Sequence, residues 1–171
     1  VVAMLGYVGG PLPYGYRGLG EIFVFLFFGL VATVGARYVH DGNAPLSAWL
    51  AAIPIGFVAS AILVANNLRD IDTDAAARKK TLAVILGSDW TRVLYGILMV
   101  SAFALVAVFA IADRMPRGAI VAVPFGLMAV RPIRRVLEGI EGRSLVAVLR
   151  STARVHLALG LAIGVGAAIW H

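Results

Sequence analysis

Cysteine is absent from these 171 residues, which excludes a disulfide framework and any thiolate chemistry and leaves the redox compartment open. Charge is scarce too. With 14% charged against 61% hydrophobic residues and a mean hydropathy of +0.92, the chain has too few polar groups to clothe a soluble domain. It belongs in a bilayer. The start, VVAMLGYVGG, has neither the charged leading region nor the cleavage pattern of a signal peptide. Val1 to Tyr7 reads better as the end of a span already under way. The expectation is therefore that residues 1–171 form the C-terminal part of one transmembrane domain, with further helices upstream. No repeat, internal domain boundary or low-complexity tract interrupts it.

What is present is a series of apolar segments near the length of about 20 residues that a membrane helix needs. They run over 20–39, 46–68, 90–112, a shorter stretch at 118–130, and 157–170. The last two can reach full length by extending into arginine-bearing flanks whose side chains snorkel. Hydrophobicity within the segments is continuous rather than alternating, which excludes a transmembrane barrel. The fold class is all-α: a polytopic transmembrane helical bundle of about five spans. Pro54 and Pro124 read as kinks tolerated inside a packed bundle. Gly29, Gly35, Gly160, Gly164 and Gly166 read as sites of close helix approach. Trp49, Trp90 and Trp170 fall near span ends, as interfacial anchors do.

Basic residues divide unevenly between the two sides. Of the fifteen Lys and Arg, only Arg37, Arg114 and Arg117 fall on the side that carries the loop between the first two spans. The positive-inside rule makes the richer side cytoplasmic, with the protein in the cell's inner, plasma membrane. The same bias accounts for the net charge of +6, and no nucleic-acid partner is needed.

One stretch breaks the pattern. NNLRDIDTD, Asn66 to Asp74, follows an uncharged run from Ser47 to Ala65 and holds three of the chain's nine acidic residues. If the helix continues through it, Asn66, Asp70 and Asp74 recur at i, i+4 and i+8 and share a face, while Asp72 points elsewhere. Two carboxylates and a carboxamide oxygen make a site for a hard divalent cation, Mg2+ above all. That ion takes one or two carboxylates and completes its shell with water and substrate phosphate, so a diphosphate substrate follows. A solvated acidic loop is the plain alternative, although like charges a turn apart cost helix stability unless something binds them. A calcium loop fails, since Ala75 and Thr81 stand where its glycine and closing glutamate belong. Lys79, and after it Arg69, are placed to neutralise a departing diphosphate. Arg78 and Lys80 read as ordinary positive-inside residues as readily as functional ones.

A second unusual segment, GGPLPYGYRGLGE from Gly9 to Glu21, sets Tyr14, Tyr16 and Arg17 among turn residues just before a span. A tight interfacial turn explains the glycines and tyrosines. Arg17 between aromatic rings adds a candidate contact for a carboxylate or a planar aromatic anion.

Taken together, NNLRDIDTD, KKTLAVILG, PYGYRGLGE and FFGLVATVG resemble the 1,4-dihydroxy-2-naphthoate prenyltransferases of menaquinone synthesis, within the UbiA-type membrane prenyltransferases. The resemblance implies a bundle of nine transmembrane helices around a cavity open sideways to lipid, with two aspartate-rich motifs on the cytoplasmic side. The second is matched by Asn66, Asp70 and Asp74, and the lysine that follows it by Lys79; the first has no counterpart in this sequence. Leu12 stands where relatives often carry a basic residue, and Arg78 where they often carry glycine. The implied activity is Mg2+-dependent transfer from a polyprenyl diphosphate to dihydroxynaphthoate, giving demethylmenaquinone. Other acceptors within the superfamily, such as hydroxybenzoate or homogentisate, remain open alternatives, as does a non-catalytic membrane subunit. A cation-coupled transporter is a further reading, one that requires ionisable groups at mid-membrane, where these spans are expected to carry none.

Overall fold

The computed structural model describes residues 17–170. Helix α1 occupies Gly20–Asp41, with a wider π-helical stretch over Phe25–Val31, and ends at Gly42, whose φ of 70° turns the chain. Helix α2 is Leu46–Arg69, the short α3 is Ile71–Ala76 and α4 is Leu82–Ile111. The next pass, α5, begins as 3-10 turns over Arg117–Gly126 and continues as α-helix over Leu127–Leu137. A turn at Gly142–Ser144 leads into α6, Leu145–Ile169. The described residues contain no strand. Helices α1, α2, α4 and α6 are long and apolar enough to cross a membrane. This is the all-α membrane bundle expected; α5 falls short of that standard because its second half carries Arg131, Arg134 and Arg135.

Helix α2 forms the centre. Val58, Ala61, Val64, Ala65 and Leu68 are buried in one core with Tyr95, Met99, Ala102 and Val106 of α4 and Val155, Leu159 and Ala162 of α6. Apart from Tyr95 and Met99, these are small or branched side chains, which suit close packing between membrane helices. One buried polar bond crosses the core, Tyr95 Oη to Thr152 Oγ1 at 2.7 Å. Pro54 sits inside an unbroken α2. Helix α1 leans on α2 where Gly29 meets Gly56, with Phe25 against Gly56 and its ring 5.5 Å from that of Phe57.

Not every expected glycine contact forms. Gly166 does meet a backbone, that of Gly118, and added Cβ atoms there would collide with the opposing carbonyl. Gly35, Gly160 and Gly164 face open space among the described residues. Recurrence of small residues alone does not say which of them faces a neighbour.

One expected boundary also moves. Helix α4 begins at Leu82 rather than Trp90, its first turn capped by Thr81 Oγ1, which accepts the Val84 N–H at 3.4 Å. Gly87, with φ 78° and ψ 168°, then breaks the helix, so Leu82–Leu86 is a separate turn ahead of the membrane-crossing run. The last apolar run extends into its arginine-bearing flank as expected: the helix begins at Leu145 and includes the exposed Arg150 and Arg154. His156 consequently lies mid-helix with Nε2 buried and without a hydrogen-bond partner. The expectation that the middles of the spans hold no ionisable group is wrong at this residue.

Connections gather at two ends. Gly18 approaches Ile85 and the Lys80 carbonyl, and Leu68, Arg69, Ile71, Asp72, Ser88, Arg92, Glu141 and Gly142 border a common cleft. Arg92, itself buried, donates to the carbonyls of Val136 (3.2 Å) and Ile140 (2.9 Å) and to Glu141 Oε1 (3.2 Å). It thereby satisfies backbone oxygens left over where α5 stops. At the far end, the Gly118 N–H donates to the Trp170 carbonyl at 3.1 Å. Two of the three basic residues there are matched by acids, Arg37 by Asp41 and Arg117 by Asp113.

Candidate active site

The acidic stretch forms where α2 gives way to α3. Asp70 is the junction, with φ −101° and ψ 11°, and the Thr73 hydroxyl donates to its carbonyl at 2.8 Å. The helical ladder nevertheless crosses it: the Asp70 N–H donates to the Asn66 carbonyl at 3.2 Å, and the Asp74 N–H to the Asp70 carbonyl at 2.8 Å. Asn66, Asp70 and Asp74 therefore keep helical spacing through a loosened turn. Asp74 is buried and Asp72 is exposed at the rim of the neighbouring cleft.

Each carboxylate of the pair has a cation. Arg69 grips Asp70 with two bonds, Nε to Oδ1 at 2.7 Å and Nη2 to Oδ2 at 2.6 Å. Lys79 Nζ meets Asp74 Oδ1 at 3.0 Å, and its backbone N–H donates to the Asp74 carbonyl at 2.9 Å. The Arg69 guanidinium, with a smaller contribution from Lys79, holds the Asp70 carboxyl below the ordinary carboxylate range against an opposing effect of burial. A depressed value contributes stability above the unfolded pKa near 3.8 that is lost on acidification through the lower folded value. The intervening turn passes through Arg78 at φ 56°. That left-handed conformation is free for glycine and costs other residues about 1–2 kcal/mol.

Among the described residues no group of three or more His, Cys, Asp or Glu is arranged to hold a metal ion. The donors at hand are the oxygens of Asp70, Asp74 and Asn66. They fit Mg2+, which takes few protein carboxylates and relies on water and phosphate for the rest. Arg17 is exposed at the entry to α1, and Gly18, φ 72°, sets that turn beside the 80–85 segment. Tyr14, Tyr16 and Leu12 lie outside the described residues.

A second group escaped the sequence reading. Glu21, on the first turn of α1, is buried, and its Oε1 accepts from Asn67 Nδ2 at 2.8 Å. Its backbone carbonyl accepts from the Ser60 hydroxyl at 3.1 Å, while Oε2 is buried without a partner. Asn67 is buried and Asn66 only half-buried. Spacing does not choose between the two: 67, 70 and 74 fall at i, i+3 and i+7, a stripe as regular as 66, 70 and 74.

A loosened acidic helix end with paired cations, beside an arginine-bearing turn at one end of a membrane bundle, coincides with a family match. The UbiA prenyltransferase family model matches residues 1–149. The chain belongs to this family. It is 41% and 43% identical, over 157 residues in each case, to the 1,4-dihydroxy-2-naphthoate octaprenyltransferases of Mycobacterium leprae and Mycobacterium tuberculosis. Those matches take in 92% of this chain and 52% and 53% of the relatives. UbiA prenyltransferase domain-containing protein 1 of Gallus gallus is 30% identical over 159 residues, covering 91% of this chain and 44% of its own. The chain thus spans about half the length of the curated relatives it matches. The family region includes both the Arg17 turn and the Asn66–Asp74 stretch, and stops inside α6.

Proposed function

We propose that this chain is part of a protein that transfers a polyprenyl group from a polyprenyl diphosphate to 1,4-dihydroxy-2-naphthoate, yielding demethylmenaquinone in its reduced, quinol form. The observation that carries this reading is the pairing of Asp70 with Arg69 and Asp74 with Lys79 at the end of a membrane helix, in a UbiA-family chain with naphthoate octaprenyltransferases among its relatives. A substrate with a charged head and an apolar tail calls for charge at the bilayer edge and helices below it.

Asp70, Asp74 and the Asn66 carboxamide would hold Mg2+, together with donors from elsewhere in the complete protein. The ion supplies positive charge against which a diphosphate leaves. Arg69 and Lys79 turn from their carboxylates to the diphosphate oxygens as charge develops on them. The allylic C–O bond breaks and diphosphate departs. The electron-rich acceptor ring attacks the allylic carbocation, and the ring carbon's carboxyl group leaves as carbon dioxide. Arg17 binds the acceptor's carboxylate, and Tyr14 and Tyr16, its neighbours in sequence, are the further acceptor-binding residues of this reading. Asp72, exposed and outside the paired set, takes no part.

Arg17→Ala in the complete protein is expected to raise the KM for dihydroxynaphthoate by roughly tenfold or more, the worth of a charge-assisted bond, and to leave the KM for the prenyl diphosphate nearly unchanged. An unaltered acceptor KM in a folded variant removes Arg17 from the acceptor site.

The site faces the cytoplasm of a cell whose inner membrane the protein crosses several times, since the end with Asp70 and Asp74 also carries most of the basic residues. Cysteines at Ala76 and Gly142 should react with an impermeant thiol reagent from the cytoplasmic side, and one at Asn43 from the other. Labelling of Ala76→Cys and Asn43→Cys from one side would overturn this orientation.

A further inference from the structure

Between α5 and α6, at the end that holds the acidic site, lies a cavity of about 560 Å3 lined by Arg131, Pro132, Arg134, Arg135, Ala147 and Ser151. Positions 131, 134 and 135 recur at i, i+3 and i+4, so their guanidinium groups share one side of α5. Only Arg134 is matched: its Nε meets Glu138 Oε1 at 3.1 Å. Glu141, the other nearby acid, is engaged by Arg92. Arg131 and Arg135 have no ion pair among the described residues. Ala147 and Ser151 are small, which leaves room between the helices, and the Ser151 hydroxyl donates to the Ala147 carbonyl at 2.9 Å.

The chemistry changes with depth. Toward the middle of the bilayer, the same two helices present exposed Leu127 and Val130 on α5 and exposed Leu157 and Leu161 on α6. Cationic forks therefore stand above an apolar surface. A soluble anion would use the first and gain nothing from the second. We propose that this groove binds the phosphate headgroup of an anionic phospholipid, whose acyl chains lie along Leu127, Val130 and Leu157. Guanidinium groups match phosphate oxygens in two-point contacts, and basic pockets between transmembrane helices at the cytoplasmic surface suit anionic headgroups. The groove is distinct from the cleft beside the acidic site, with which it shares no lining residue.

The test is native mass spectrometry of the complete protein in detergent, titrated with phosphatidylglycerol, phosphatidylcholine, inorganic phosphate and a short-chain prenyl diphosphate. Phosphatidylglycerol is expected to bind at least about tenfold more tightly than phosphatidylcholine. Each basic residue near a membrane surface contributes roughly fivefold to such binding, so the double variant Arg131→Gln/Arg135→Gln should weaken phosphatidylglycerol about thirtyfold. Phosphatidylcholine binding and melting temperature should stay unchanged, and Arg143→Gln, on the adjoining turn outside the groove, should have little effect. If the double variant fails to fold, Arg131→Gln alone should give about a fivefold loss.

Absence of an anionic-lipid preference in the wild type would mean that acids elsewhere in the protein neutralise the groove, and the proposal fails. It fails equally if Arg143→Gln matches the double variant, since the effect would then be diffuse charge. Displacement of the lipid by inorganic phosphate at similar concentration would make the groove a plain anion site. Displacement by the prenyl diphosphate, reversed by the Arg131→Gln/Arg135→Gln change, would make it a donor-substrate site; both results overturn the assignment to phospholipid.

Discussion

Asp70→Asn and Asp74→Asn in the complete protein are each expected to lower Mg2+-dependent prenyl transfer by roughly two or more orders of magnitude, with Asp72→Asn far milder. The exchange keeps size and removes charge, so packing changes little and the loss falls on the interactions that stabilise departing diphosphate. One such contact is worth several kcal/mol of barrier. Asp74 is buried against Lys79 and Asp70 is gripped by Arg69, whereas Asp72 stands in solvent. Asn66→Ala should fall between, since a neutral oxygen attracts a cation less. The measurement is transfer across a magnesium titration, with the folded fraction determined separately for each variant. If Asp72→Asn proves as damaging as Asp70→Asn, the helical spacing is irrelevant to function and the stretch must wrap its cation as a loop.

Asn67→Ala has a different signature. Its amide donates to Glu21 Oε1 at 2.8 Å, and the other oxygen of that buried carboxyl already lacks a partner. Removing the donor strands the whole group, at a cost of about 1–3 kcal/mol or more. A clear fall in melting temperature is expected for Asn67→Ala, and almost none for Asn66→Ala, whose side chain is half-buried. Replacing both partners, Glu21→Leu with Asn67→Leu, should recover much of the loss, because no buried polar group then remains unsatisfied. Equal melting temperatures for Asn66→Ala and Asn67→Ala would refute this account of the α1–α2 contact.

The all-α membrane architecture was legible because long uncharged runs admit few other solutions: backbone polar groups in lipid must be satisfied within the helix. Helix ends were less legible. Gly87 breaks α4 with a positive φ, and only Ser88 and Asp89 after it, residues that favour a helix start, distinguish it from Gly96, which sits unkinked in the same helix between Tyr95 and Ile97. That Arg150 and Arg154 belong to the last helix was legible, because long cationic side chains can reach water from inside a span. At the candidate site, the spacing of Asp70 and Asp74 could be read from the sequence, whereas the choice between Asn66 and Asn67 could not. It depends on Glu21, 46 residues earlier than Asn67, and a contact that distant leaves no periodic trace. The partners of Asp70 and Asp74 were nearer in sequence, and Arg69 and Lys79 could be singled out for that reason.

The meeting of Gly118 and Gly166 bears on mutational tolerance. Two backbones touch there with no side chain between them, and each would drive a new Cβ into the other's carbonyl. Substitution by alanine, harmless at most membrane-helix positions, would force α5 and α6 apart at the end farthest from Asp70. A saturation-mutagenesis map of this protein would thus contain a second intolerant spot, set by backbone contact alone and far from Asp70 and Asp74. Intolerance in such a map marks how little space a position has as readily as what it does.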